Sequence, residues 1–147
     1  MKTINKITAI ADIKELEKRG IEIIFEPQEE DLNPYDQMEK KEDADEICRR
    51  YDNGFLEAWF CAKVTVKYKD FEYDDYLGGC SYDTFKEFTN EENGYYMYMV
   101  NNCIDQINKD IQWTNADNLK HRNIQKAKNL LKPYGLYIVS SNQLHTL

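Results

Sequence analysis

The residues best suited to recognition chemistry surround the end of a predicted strand, between residues 74 and 82. This segment and the strand before it hold carboxylates, aromatic rings, a hydroxyl and two adjacent glycines: Trp59, Asp74, Asp75, Tyr76, Gly78, Gly79, Ser81 and Tyr82. Glycines lack a Cβ atom, so the backbone there can bulge or take a positive φ and be approached closely. Two interpretations stay open. The glycines bend the strand toward a helix that begins near Thr84, or they form a ledge of backbone amides that recognises a ligand.

These residues do not form a recognisable catalytic set. Adjacent residues of a strand point to opposite faces, so Asp74 and Asp75 are poorly placed to act as an acid–base pair. Ser81 and Cys80 have no histidine near them in the sequence, and no glycine-rich phosphate loop is present. The four cysteines are widely spaced and lie far along the chain from the two histidines, unlike zinc ligands. The sequence therefore predicts a non-enzymatic protein with reduced thiols and with no metal site or cofactor.

Charge is distributed unevenly along the chain. The 147 residues carry a formal net charge of −8, of which residues 101–147 contribute +3 and the first hundred −11. The candidate acidic surface consists of seven carboxylates: Glu29, Glu30, Asp31, Glu42, Asp43, Asp45 and Glu46. Such a tract is either a solvated face or, together with Glu72, Asp74 and Asp75, a mimic of a phosphate backbone. Alternate strand residues lie about 6–7 Å apart, a spacing that suits mimicry. The acidic part is not expected to bind DNA nonspecifically.

The elements that must position these residues follow from hydrophobic periodicity and turn signals. The predicted order is a helix over 3–19, a strand over 21–25, a loop over 28–41, a helix over 42–51, hairpin strands over 55–68 and 71–77, a short helix capped by Thr84, helices over 95–112 and 116–132, and a strand over 136–140. This order predicts the α+β class, with a mainly antiparallel sheet of about four strands backed by helices. Residues 1–147 are interpreted as a single domain.

The hydropathy pattern predicts a cytoplasmic protein that does not enter a membrane. No segment approaches the roughly 20 apolar residues that a membrane-spanning helix needs. The first apolar run is interrupted by Asp12, unlike a signal peptide.

One stretch of the chain resembles a known group of proteins. The pattern is Ala58-Trp59, Val64-x-Val66, the run from Asp75 to Tyr82, Phe88, Gly94-Tyr95-Tyr96 and Met99-Val100. It is similar to small, mostly uncharacterised accessory proteins of tailed phages and prophages, over about residues 53–110. No catalytic residues come with this resemblance. It implies a protein that acts in the host cell, where small acidic phage proteins often inhibit defence systems, as anti-CRISPR and anti-restriction proteins do.

Three functions are compatible with these features. The first is a phage-encoded inhibitor that binds a basic, nucleic-acid-binding surface of a host defence protein or ribonucleoprotein complex. The second is a protein that sequesters a nucleotide signal, with Trp59, Tyr76 and Tyr82 stacking on a base and the glycines facing phosphate. It requires a pocket near Gly78 with a neighbouring Lys or Arg. The third is a structural phage protein, for which a homodimer is one possible form.

Overall fold

A three-stranded antiparallel sheet with the order β1-β2-β3 forms the centre of the fold. Its strands are β1 (Glu22–Gln28), β2 (Phe60–Tyr68) and β3 (Phe71–Cys80). The predicted turn at Lys69-Asp70 joins β2 to β3, and Tyr68 pairs with Phe71. Pro27 lies within β1, which an edge strand tolerates because one side of it makes no ladder hydrogen bonds.

The computed structural model describes the backbone of residues 1–140 and 143–146 and the side chains of residues 1–135. The chain divides into two compact units. One comprises Ile4–Asn108, and the other comprises Met1–Thr3 with Lys109–Leu147. This division does not test whether the units fold separately, so the single-domain interpretation stays a prediction.

Five α-helices accompany the central sheet in the part of the chain that the structure describes. They are α1 (Asp12–Lys18), α2 (Pro34–Gln37), α3 (Lys41–Asp52), α4 (Phe85–Asn90) and α5 (Tyr95–Leu131), with 3-10 turns at Leu56–Ala58 and Lys132–Tyr134. Thr84 caps α4 as predicted, since its hydroxyl accepts a hydrogen bond from the Glu87 amide at 3.1 Å. None of the helices in the described residues is long and apolar enough to cross a bilayer.

The core of the Ile4–Asn108 unit lies between one face of the sheet and the first part of α5. Phe60, Val64 and Val66 face this core from β2 and are almost completely buried. The Sγ of Cys103 on α5 lies 3.8 Å from the Val64 carbonyl oxygen, which shows how closely helix and strand approach. Phe88 on α4 joins the core through ring contacts with Phe60 at 5.7 Å. The α+β class with an antiparallel sheet and helices is therefore confirmed.

The prediction of about four strands in one sheet was wrong. The central sheet has three, because the predicted closing strand, β4 (Leu136–Ser140), pairs instead with β5 (Gln143–Thr146) in a separate two-stranded sheet. A strand can be recognised from its own residues, but the strand with which it pairs is determined by contacts with residues elsewhere in the chain. The sequence pattern of a strand does not encode that choice.

The predicted helix over 3–19 was also wrong in its first half. Only Asp12–Lys18 is helical, and residues 1–7 have no regular secondary structure. Ile4, Ile7 and Ile10 repeat every three residues, whereas a helical stripe follows a 3.6-residue period. Ile4 and Ile7 are instead held through their backbone groups by a partner element.

That partner is a row of asparagines on α5. In the Ile4–Asn108 unit, Asn108 accepts from the Ile4 amide at 2.7 Å and donates to the Ile4 carbonyl at 2.8 Å. Asn101 makes the same two bonds with Ile7, at 2.8 and 2.9 Å. Asn101 and Asn108 are seven residues apart on the helix, which corresponds to a rise of about 10.5 Å. Ile4 and Ile7 are three residues apart, and three extended residues span a similar distance. The spacings of helix and segment therefore match.

In the other unit, Asn115 bonds the Met1 backbone in the same manner, with its Nδ2 donating to the Met1 carbonyl at 2.8 Å. The asparagines at 101, 108 and 115 recur every seven residues, and this spacing is the signal in the sequence from which the row could be predicted.

The two helices predicted over 95–112 and 116–132 are one helix of 37 residues. The gap between the two predicted helices includes Asn115. No proline or glycine stands between residues 95 and 131, so nothing in the sequence interrupts the backbone hydrogen bonds. The asparagine belongs to the hydrogen-bonded row instead.

Candidate functional site

The glycine pair at the end of β3 is closely covered by the protein's own chain. Gly79 has φ +68°, and a Cβ atom there would lie 3.3 Å from the Trp59 ring. A Cβ atom at Gly78 would lie 2.8 Å from the Oε2 of Glu30 and 3.3 Å from Leu32. Gly79 therefore requires glycine, because of its positive φ and the close Trp59 ring. At Gly78 a Cβ atom would have to displace chiefly the flexible end of the Glu30 side chain, so the ledge is occupied by a side chain of the protein itself.

The carboxylate of Glu30 occupies the position that a ligand's phosphate would take. Its Oε2 accepts from the Gly79 amide at 2.6 Å, and its Oε1 accepts from the Leu32 amide at 3.0 Å. The Trp59 indole donates to the Leu32 carbonyl at 2.8 Å, and the side chain is only 5% exposed. The sequence analysis assigned Glu30 to the acidic surface and Gly79 to a separate recognition site. The structure joins them through the hydrogen bond from the Gly79 amide to the Glu30 carboxylate.

Tyr82 belongs to the core side of the sheet. Its ring lies 5.1 Å from Phe88 and 6.3 Å from Phe60. Its hydroxyl donates to Glu91 at 3.1 Å, and burial followed by this hydrogen bond raises the pKa of Tyr82 to about 12. Arg50 donates to the Tyr82 carbonyl at 2.9 Å and so ties the exit of β3 to α3. Ser81, the preceding residue, is half-buried.

Tyr76 lies on the opposite face of the sheet from Tyr82. It pairs in register with Lys63, whose ammonium lies 5.8 Å from the centre of the Tyr76 ring. The three aromatic side chains proposed to stack on a base are therefore not brought together. Trp59 is buried against Gly79, Tyr82 joins the aromatic core and Tyr76 lies on the outer face.

Asp74 and Asp75 lie on different faces of β3 and have different partners. Asp74 accepts from the Thr65 hydroxyl at 2.6 Å on the outer face. Asp75 accepts from the Asn102 amide at 3.1 Å on the side of α5. The neighbouring carboxylate of Glu72 pairs with Lys67 at 3.8 Å. The carboxylates of β3 are thus engaged inside the protein and do not form a row of free charges.

The seven candidate carboxylates of residues 29–46 fall into two groups. Three have partners within the chain: Glu30 as described, Asp45 with the Tyr35 hydroxyl, and Glu46 with Arg49. The hydrogen bond to Asp45 is the main cause that raises the pKa of Tyr35 to about 12, and the bond from Arg49 lowers the pKa of Glu46.

The other four, Glu29, Asp31, Glu42 and Asp43, are exposed, and none has an ion pair among the side chains of residues 1–135.

A cleft of about 250 Å³ opens beside this acidic segment. Its lining combines apolar side chains with one carboxylate: Pro27, Gln28, Glu29, Tyr51, Leu56, Trp59, Phe60 and Phe85. The residues come from β1, α3, the turn before β2, β2 itself and α4. Sequence reasoning did not predict this cleft, since no local pattern links residues from so many separate elements.

Within the residues that the structure describes, no group of three or more His, Cys, Asp or Glu side chains could hold a metal ion. All four cysteines are free, and Cys80 and Cys103 are buried. Burial raises the pKa of the Cys80 thiol to about 11 and that of Cys103 to about 12, which suppresses the reactive thiolate.

Comparisons of the chain with protein-family models, with curated proteins and with solved structures found no match.

Proposed function

We propose that this protein is a non-enzymatic inhibitor that binds, through its acidic unit, a basic surface on which another macromolecule holds nucleic acid. The observation that carries the proposal is the set of four exposed carboxylates without an ion pair in the described side chains: Glu29, Asp31, Glu42 and Asp43.

The charge around these side chains supports the same function. Residues 4–108 contain 12 Lys and Arg against 25 Asp and Glu, a formal net charge of −13. Such a unit attracts a basic surface over several ångströms and accelerates association at low ionic strength. Because the free carboxylates lie on a loop and the first turn of α3, they can reach a partner without unfolding the sheet.

The contacts of the glycines favour this proposal over nucleotide binding. A phosphate at the Gly79 amide would have to displace the Glu30 carboxylate, which already accepts that hydrogen bond and would repel a second anion. The acidic surface needs no such displacement.

In the phage setting that the sequence motif implies, the partner is a bacterial defence complex that holds nucleic acid, such as a CRISPR effector with its guide RNA or a restriction enzyme. Occupation of its nucleic-acid groove would stop target binding. This setting defines the proteins with which the proposal is tested.

The test measures DNA binding by a panel of purified CRISPR effector complexes and restriction enzymes, with and without this protein. We expect at least one member to lose DNA binding, and the inhibition to weaken by about tenfold or more between low and moderately high salt. The variant E29Q/D31N/E42Q/D43N should inhibit at least about tenfold less.

A matched variant, E15Q/D70N/E72Q/E87Q, removes four other carboxylates with the same change in net charge and should retain inhibition. Inhibition of no member of the panel would contradict the proposal. So would inhibition that ignores salt, or an equal loss in both variants.

A further inference from the structure

The cleft beside the acidic segment has the chemistry of a site for one cationic side chain. Trp59 and Phe60 are buried in the fold, while Tyr51 and Leu56 remain partly exposed at the opening. Glu29 lines the same cleft, is exposed and has no ion pair among residues 1–135. An aromatic wall with a carboxylate beside it attracts a cation by its ring faces and by direct charge pairing.

The size of the cleft limits its occupant. Its volume of about 250 Å³ is smaller than the roughly 300–1,000 Å³ of pockets for drug-sized ligands. A single long side chain is of the right order for such a volume.

The arginines nearest in sequence to the cleft are already committed elsewhere. On α3, which contributes Tyr51 to the cleft, Arg49 pairs with Glu46 and Arg50 donates to the Tyr82 carbonyl. Neither therefore neutralises Glu29, and the cleft keeps its negative side chain for a group from outside.

We propose that this cleft binds an arginine side chain presented by the basic partner, as the anchor of the interface. The inference rests on the proposed function and names the chemistry of its central contact. Arginine suits the site better than lysine, because its planar guanidinium stacks on aromatic faces, loses hydration more readily and can bind a carboxylate through two parallel hydrogen bonds. Buried arginine and aromatic anchors typically contribute most of the binding energy of an interface.

The unit around the cleft provides the charge complementarity. Residues 4–108 carry −13, so a basic segment is drawn to this surface before its anchor enters. An apolar side chain would gain from the aromatic wall but would leave Glu29 without a counter-charge and partly desolvated.

The experiment titrates the full-length protein with four short peptides that are identical except for a central arginine, lysine, citrulline or leucine. Amide NMR shifts of the lining residues report occupancy. We expect the arginine peptide to bind at least about fivefold more tightly than any of the others. Citrulline keeps the shape of arginine without the charge, so it separates stacking from charge pairing.

Two variants locate the site. E29Q should weaken arginine-peptide binding about tenfold, and Y51A should weaken it about threefold or more. D70N, which removes an exposed carboxylate that neither lines the cleft nor belongs to the proposed acidic binding surface, should change it less than twofold. Amide NMR spectra of each variant serve as the control for folding. We expect the fold to be kept, because Glu29 and Tyr51 are exposed.

Equal binding of the four peptides, no shifts at the lining residues, or equal effects of E29Q and D70N would overturn the inference. Preference for leucine would show an apolar docking site instead and would also overturn it. The two proposals can fail separately. If Y51A inhibits a defence complex as strongly as the unchanged protein does, the proposed arginine anchor is wrong and the proposed inhibitory function stands. If the protein binds the arginine peptide selectively but inhibits no complex, the arginine site stands and the proposed inhibitory function is wrong.

Discussion

The two units of the chain use the same long helix in different ways. In residues 95–108, α5 buries a continuous stripe that includes Val100, Ile104 and Ile107. After Ile111, which is still buried, several large apolar side chains of the same helix are exposed, with Trp113 at 77% and Leu130 at 73% exposure. Helical geometry is the same throughout, so the difference lies in how far each stretch packs against apolar side chains among residues 1–135. A helix is stabilised chiefly by the surface it packs against rather than by its own propensity.

Charge separates the same two regions. The Ile4–Asn108 unit carries −13, while residues 1–3 and 109–147 contain seven Lys and Arg against two Asp, a net charge of +5. In the acidic unit many polar side chains bond backbone groups far along the chain, as Asn101, Asn108 and Glu30 do. The comparison therefore predicts that substitutions in the two regions have very different consequences.

The largest difference is expected for apolar residues of α5. Ile104→Ala should lower the free energy of unfolding by about 2–5 kcal/mol, because it leaves a cavity at a fully buried position. Leu130→Ala, at a position 73% exposed, should change it by less than about 0.5 kcal/mol. Urea denaturation followed by circular dichroism measures both. Similar effects of the two substitutions would break the comparison.

The next largest effect is expected in the asparagine row. Asn108→Ala removes both partners of the Ile4 backbone and leaves its amide and carbonyl without their hydrogen bonds, at a cost of about 1–3 kcal/mol. The control, Asn118→Ala, changes an exposed residue of the same helix. It should be neutral or slightly stabilising, since alanine has the higher helix propensity. Equal stability of the two variants would show that the row contributes nothing.

A smaller loss is expected where the acidic segment meets the glycines. Glu30→Gln replaces a charged acceptor of the Gly79 amide with a neutral one and should lower stability by about 1 kcal/mol. The adjacent Glu29→Gln should change stability by less than about 0.5 kcal/mol, because Glu29 is exposed. Thermal denaturation provides the comparison. A loss in Glu29→Gln as large as that in Glu30→Gln would contradict the assigned contact.

Alkaline pH tests the partly buried Tyr82. The pKa of Tyr82 is raised to about 12, above the 10.0 of a free tyrosine, so the folded state holds this proton more tightly. The resulting stability is fully present below about pH 10 and is lost as the pH rises toward about 12. Tyr82→Phe should therefore reduce the decline in stability between pH 9.5 and about 11. Urea midpoints at the two pH values measure it, and an undiminished decline would contradict the assignment.

The smallest effect is expected in the basic region. Asp117 and His121 form an exposed pair at 3.4 Å, one helical turn apart. Exposed pairs of this kind contribute about 0.3–0.5 kcal/mol at most, so Asp117→Asn should lower stability by no more than that. The measurement is urea denaturation at neutral and mildly acidic pH. A loss above about 1 kcal/mol would show that this region is more tightly organised than its exposure indicates.

The parts of the fold that were predicted correctly depend on neighbours in the sequence. The helix over 42–51 is α3 (Lys41–Asp52), and the turn at Lys69-Asp70 and the Thr84 cap lie where they were placed. Two errors arose where distant residues decide, namely the segment before Asp12 and the pairing of β4 with β5. Two others concern local signals, since α5 has no breaking residue between 95 and 131 and the short helix α2 lies inside the predicted loop over 28–41.

The sequence by itself determined the alternation of β2, the charge asymmetry and the glycine pair that marks the end of β3, because each depends on residue type and near spacing. Only the tertiary structure decided what the glycines accommodate, which is the carboxylate of Glu30 and the ring of Trp59. It also decided which carboxylates stay free, and it assembled the cleft around Tyr51 and Phe85. These outcomes depend on contacts between residues far apart in the chain, and no local pattern carries that information.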